Sequence, residues 1–351
     1  MKRSVIFLIG LFSVGVVAAQ EQASRCAQTL RLAQSTYESG RLQEVPGILQ
    51  GCIDGVEFSV VERTNALRLV VLSYIYLEEH DKADQAMMDI LNNEHFYAPN
   101  EAVDPPEFVA LFNTFRHKPV WSAGIKIGGN TSYPWNISNY YVGSTSVGQG
   151  EASQQYSFQF GLYFEKQLFG DFFGAPEIAF TNHKFSYANE ALSIDENTGE
   201  NFGRVESVVS QNWLDLNLLV QYAFKNSVET QFFVTLGPTV SYIVGAEGTL
   251  VSDFRGFTVT GPSVDEKDRY NPLNYSIIAG GGIKKKIGGL YLLADIRYKF
   301  GINNIIDSSN RTNIEQTFDY GYTSNDMRIQ SLMINVGIMY PYFKPKKLAI
   351  K

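Results

Sequence analysis

Residues 290–302, LYLLADIRYKFGI, constrain this chain more than any other stretch. Read with the two-residue period of a β-strand, Leu290, Leu292, Ala294, Ile296, Tyr298 and Phe300 share one face, while Asp295, Arg297 and Lys299 share the other. A soluble sandwich buries such an apolar face, whereas a strand crossing a membrane in a closed barrel turns it to lipid and keeps the charges in the lumen. Three more stretches repeat the pattern. QQYSFQFGLYFEKQL sets Tyr156, Phe158, Phe160, Leu162 and Phe164 against Ser157, Gln159, Gly161 and Glu165. LDLNLLVQYAF sets Leu214, Leu216, Leu218, Val220 and Tyr222 against Asp215, Asn217 and Gln221, and QSLMINVGIMY sets Leu332, Ile334, Val336 and Ile338 against Ser331 and Asn335. The apolar faces are too continuous for a wetted surface and the opposite faces too charged for a sandwich core.

The connections point the same way. Period two begins near Pro119 and predicts eight strands, near 119–132, 154–169, 173–187, 207–225, 228–245, 274–286, 289–304 and 327–343. FGDFF, KNSVE and KIGG join the second to third, fourth to fifth and sixth to seventh strands. The other connections are long and polar, from YPWNISNYYVGSTSVGQGEAS to EGTLVSDFRGFTVTGPSVDEKDRYNP. Short and long links alternate strictly, as in barrels with periplasmic turns and extracellular loops. Eight strands close a small barrel whose bore holds only side chains, and an even count puts both strand ends on the periplasmic side. The 20 Tyr, 24 Phe and 30 Gly suit many strands and turns.

Alternation assigns Glu165, Glu177, Asp215 and Asp295 to the lumen together with Lys126, Lys284, Arg297 and Lys299. Four charges of each sign predict a salt-bridged plug, because a buried charge without a partner is very costly. A narrow ion pathway gated by the same pairs is the functional alternative.

The first third reads differently. Residues 1–20, MKRSVIFLIGLFSVGVVAAQ, join Lys2 and Arg3 to a short apolar run and the small residues Ala18 and Ala19, which predicts a cleaved secretory signal rather than an anchoring helix. No later stretch holds eighteen apolar residues in a row, so spanning falls to strands. From about residue 24 to 118 the period is helical: Leu69, Leu72, Ile75 and Tyr76 share a face, the pattern breaks at His80 and Asp81, and it resumes with Ala83, Ala86, Met87, Ile90 and Leu91. Leu30, Ala33 and Tyr37, then Val45, Ile48 and Leu49 after Gly40, repeat this plan about forty residues earlier. Two such helix pairs resemble tetratricopeptide-type repeats, which implies a module that binds a partner protein through a concave face; a compact helical bundle is the alternative. PEFVALFNTFRHKP predicts one last helix. Cys26 and Cys52 fall in the first helix and near the end of the second, where export permits a disulfide across that hairpin, with two free thiols as the alternative.

APEIAF, NWLDLNLLVQYAF, QFFVTLGPTVSYIV and GGGIKKKIGGLYLLADIRYKFGINNI, with Gly237-Pro238 and Arg297-Tyr298 most characteristic, resemble successive strands of the PorT-like outer-membrane barrel family typical of Bacteroidota. The similarity covers roughly residues 119–343. It implies an outer-membrane location, with some members implicated in secretion or assembly. Asn217 departs from the family where such barrels often carry proline.

The sequence therefore predicts a mainly β chain: residues 1–20 a signal, 21–118 a periplasmic helical, tetratricopeptide-like domain, 119–345 an eight-stranded antiparallel up-and-down transmembrane β-barrel, and 346–351 a solvated periplasmic tail. The expected contacts are outer-membrane lipid and a protein partner at the helical domain. A formal charge of −7 offers no basic stripe for nucleic acid. Catalysis is not expected: His183 and Ser186 lie three apart on one strand and point to opposite faces. DENTGE at 195–200 lacks calcium-loop spacing, and GGGI at 280–283 reads as strand glycines rather than a phosphate loop, so no metal or cofactor is expected. The leading expectation is a non-enzymatic barrel anchoring a docking module within a secretion, assembly or transport complex. A narrow channel, or a surface receptor using the long loops, is the alternative.

Overall fold

A computed structural model describes residues 25–140, 151–189, 203–224, 229–254, 257–311 and 324–348. The signal segment 1–20 and the DENTGE stretch lie outside the described residues. The chain forms two compact units, one holding residues up to His117 with the segment from Pro345 onward, the other Lys118–Lys344.

Among its described residues the first unit contains five helices, α1 (Arg25–Glu38), α2 (Glu44–Ile53), α3 (Val60–Tyr76), α4 (His80–Asn93) and α5 (Pro106–Asn113). Pairs α1/α2 and α3/α4 are helical hairpins, and α3 is the hub, burying Ala66, Leu67, Leu69, Val70, Val71 and Leu72 against Leu49, Met87, Ile90 and Phe108. The Cys26–Cys52 disulfide ties the start of α1 to the end of α2, with the two Cα atoms 5.6 Å apart. Ser59 caps α3 in a reciprocal box with Glu62, each side chain serving the other's backbone N–H. Both hairpins turn through one device. At the end of α1 the Gly40 and Arg41 N–H groups donate to Tyr37 O and Thr36 O, and at the end of α3 the Glu78 and Glu79 N–H groups donate to Ile75 O and Tyr74 O. This motif needs a left-handed residue at its turn, which is Gly40 in the first case (φ +80°) and Glu78 in the second (φ +60°). The C-terminal segment is not a free solvated tail: Arg116 N–H donates to Lys346 O at 2.9 Å, Leu348 N–H to Thr114 O at 2.8 Å, and Lys347 pairs with Asp84. The reason is the unpaired backbone after α5, which takes this segment as a short antiparallel partner.

Among its described residues the second unit has nine strands, β1 (Trp121–Ser138), β2 (Glu151–Phe169), β3 (Phe172–Asn189), β4 (Gly203–Phe224), β5 (Thr230–Phe254), β6 (Phe257–Asp265), β7 (Leu273–Ile287), β8 (Leu290–Gly301) and β9 (Asp326–Tyr342). Eight form an antiparallel ring in chain order, closed by β1 against β9, for example Ile127 opposite Val336. Closure leaves every strand of the ring paired on both sides, as hydrocarbon requires. β6 is the departure. The segment after Glu247 was expected as a polar loop, but β5 runs on past its pairing with β7, and Glu247–Phe254 pair instead with β6 as a hairpin above the ring. Its β-branched residues, among them Val251, Thr258 and Val259, favour a strand once the end of β5 offers a free edge. The two-residue links Gly170-Asp171 and Gly288-Gly289 place a glycine with positive φ first, as a type II′ hairpin turn demands. No helix of the described residues is long and apolar enough to cross a membrane.

Candidate functional site: the barrel lumen

The outer wall is apolar. Leu214, Leu216, Leu218 and Val220 on β4, and Leu332, Ile334, Val336 and Ile338 on β9, all lie outward and exposed. An aromatic girdle marks the end bearing the short turns, where Trp121 stacks on Tyr342 with ring centroids 4.9 Å apart and Phe172 meets Tyr222 at 5.1 Å. Tyr242, Tyr275, Tyr298 and Phe300 face outward toward the loop end.

Inside, all eight charged residues singled out above are buried, Lys299 to 1% and the most exposed to only 6%. They form three ion-paired groups along the bore. Nearest the short turns, Lys284 pairs with Glu165, which also accepts from the Tyr163 hydroxyl, and Lys284 donates to Gln221 Oε1 at 3.1 Å. At mid-depth, Glu177 receives Lys126 Nζ at 2.5 Å and the Arg297 guanidinium in bidentate fashion at 2.6 and 2.8 Å. Asp295 completes that group, 3.2 Å from Lys126 and 2.8 Å from Arg297, and accepts from Asn335. Farther in, Lys299 Nζ donates to Asp215 at 2.8 Å and to Ser241 at 3.0 Å, with Thr181 also donating to Asp215. Lys126 Nζ sits 3.9 Å from the Tyr163 ring centroid and so bridges the first two groups.

Gly280 and Gly282, read from the sequence as strand glycines, have a specific role. A Cβ on Gly280 would lie 2.8 Å from Arg297 Cα, and one on Gly282 2.7 Å from both Asp295 Cβ and the Phe233 ring. These bare positions are what let β8 carry Asp295 and Arg297 into the bore. His183 is 1% exposed, with Nδ1 2.7 Å from Ser132 Oγ and 3.2 Å from Ser331 Oγ. Asn217, the departure from the PorT-like pattern, accepts from Thr239 and donates to Glu177 at 3.5 Å.

Sequence parity did not reveal how the lumen ends. Toward the loops, Phe185, Val209, Trp213, Ile243, Tyr270, Ile305, Ile306 and Met327 form an apolar seal. Segment 266–272 and residues around Ile305 fold over the mouth: Tyr270 bridges Ile306, and Asn271 N–H donates to Ile305 O. The available signal was the apolar pair Ile305-Ile306 stranded in a polar loop. Toward the turns the lumen opens into a vestibule of about 260 Å³ lined by Ser122, Gln167, Phe173, Gln231, Tyr291 and Met339, with Lys284 and Glu165 among its walls.

An antiparallel ring with an aliphatic, aromatic-girdled exterior and a charged interior is a transmembrane β-barrel of the outer-membrane class. The chain belongs to the outer membrane protein beta-barrel domain family, whose model matches residues 115–307. Among solved structures it is similar to the outer membrane protein OprG from Pseudomonas aeruginosa, at 10% identity over 65% of this chain and 98% of that one, with a TM-score of 0.33. It is likewise similar to the outer membrane protein AlkL in DMPC bilayers, at 10% identity over 67% of this chain and 93% of that one, TM-score 0.34. No curated protein matches the sequence.

Proposed function

We propose that this protein is a non-catalytic outer-membrane anchor displaying a periplasmic docking module, as an accessory subunit of a secretion, assembly or transport complex. The carrying observation is the lumen: ion pairs fill its bore and an apolar seal covers its loop end, which suits an anchor rather than a passage. Both ends of the barrel chain, Trp121 and Tyr342, lie at the end with the short turns, which in such barrels is the periplasmic one. That supports a periplasmic location for the helical unit, whose paired helices, tetratricopeptide-like in plan, would be the part offered to a partner. The likeness of the strands to PorT-like barrels supports the same role.

The test is purification from outer membranes in mild detergent, full-length against a deletion of residues 24–118. A stoichiometric partner that is lost on deletion supports the proposal; isolation of both forms alone refutes it. The turn-end vestibule favours a second reading, a narrow channel whose lumen pairs part on opening. Single-channel conductance of the full chain in a planar bilayer would favour that reading over the first.

A further inference from the structure

Between the mid-depth group and the Asp215–Lys299 pair lies a small void of about 30 Å³, lined by Lys126, Gln159, Thr181, Asp215, Arg297 and Asn335 among others. Three buried polar atoms of its lining residues have no hydrogen-bond partner: Asp215 Oδ1, Gln159 Oε1 and Arg297 Nε. Two are acceptors and one is a donor. Buried polar groups left unpaired are costly, so three of them around one void point to an occupant.

The inventory selects its chemistry. A metal cation is disfavoured by the Arg297 donor and by Lys126, and an anion by Glu177 and the free oxygen of Asp215. A neutral group that donates twice and accepts once satisfies all three atoms, and the void has room for one water, or two at most. We propose that this void is a structural water site joining the two ion-paired groups into one network. Lys126, Glu177, Asp295 and Arg297 are then coupled through water to Asp215, Lys299 and Ser241, and the plug yields as a unit instead of group by group. This goes beyond the docking role and stands independently of it.

The test is a crystal structure of the full chain from a lipidic phase at a resolution that shows ordered water, together with stability measurements. The expected result is a peak within hydrogen-bond distance of Asp215, Gln159 and Arg297, absent in Gln159→Leu and retained in Ser122→Ala. A dry void, a peak with metal-like distances to oxygens alone, or side chains turned to satisfy one another would overturn the proposal. In denaturant titrations, the midpoint shifts of Asp215→Asn and Asp295→Asn are expected to be non-additive, and Gln159→Leu should remove at least half of that non-additivity. Coupling unchanged by Gln159→Leu would also overturn it.

Discussion

Replacing Glu177 with glutamine tests whether the lumen charges hold the barrel together. The substitution keeps the shape but removes the anion that receives Lys126 and both terminal nitrogens of Arg297. Asp295 alone then faces two cations at mid-depth, both at least 95% buried. Removing one partner of a buried pair typically costs about 3–5 kcal/mol, against about 0–1 kcal/mol for a solvent-exposed pair. Urea unfolding of the full chain in lipid vesicles, followed by the fluorescence of the buried Trp213, measures the loss. The double variant Glu177→Gln, Lys126→Met is expected to recover part of it, since it removes one of the stranded cations. A single-variant loss under about 1 kcal/mol, or a double variant that merely adds the two single losses, would refute the reasoning, because either would mean that the charges are solvated rather than mutually dependent.

Three other outcomes are expected. Replacing both Cys26 and Cys52 with serine releases a loop closed over a 26-residue separation and should cost the helical unit about 3.5 kcal/mol in a loop-entropy estimate, measurable as a lower thermal midpoint by circular dichroism. Glu78→Gly puts the residue preferred for left-handed backbone where Gly40 already serves the equivalent turn, and is expected to stabilise by about 0.5–1 kcal/mol in chemical denaturation; a neutral or negative result would count against strain there. The Ser59 backbone N–H, followed by its hydroxyl, holds the Glu62 carboxyl below its usual range. The capping box therefore stabilises above the unfolded-state carboxylate pKa, near 4.3, and that contribution is lost as pH falls through the lower folded value. Glu62→Gln should flatten that part of the pH–stability curve, and an unchanged curve would remove the box from the account.

How much was legible follows from the range over which each feature is decided. Side-chain direction along a strand is a property of the local backbone, so parity alone placed Asp295, Arg297 and Lys299 on one side of β8 and Leu292, Ile296 and Tyr298 on the other. The bilayer then decides which side is outward, since the apolar faces admit no other solvent. Helical spacing likewise marked the α3/α4 hairpin, and the shortness of FGDFF and KIGG marked the turns that hold Gly170 and Gly288. Partner choice is another matter. Lys126 meets Glu177 across 51 residues and Arg297 meets Glu177 across 120, distances spanned only when the ring closes with one register. The same holds for Ile305 and Ile306 in the loop-end seal, for β6 on the free edge of β5, and for Lys346 against Arg116. Each depends on a surface that exists only after folding. The sequence by itself determined the wall of this barrel and the sign and number of the charges within it. The tertiary structure decided which charges meet, where the lumen is sealed and where it stays open, because those depend on contacts made across the ring and not along the chain.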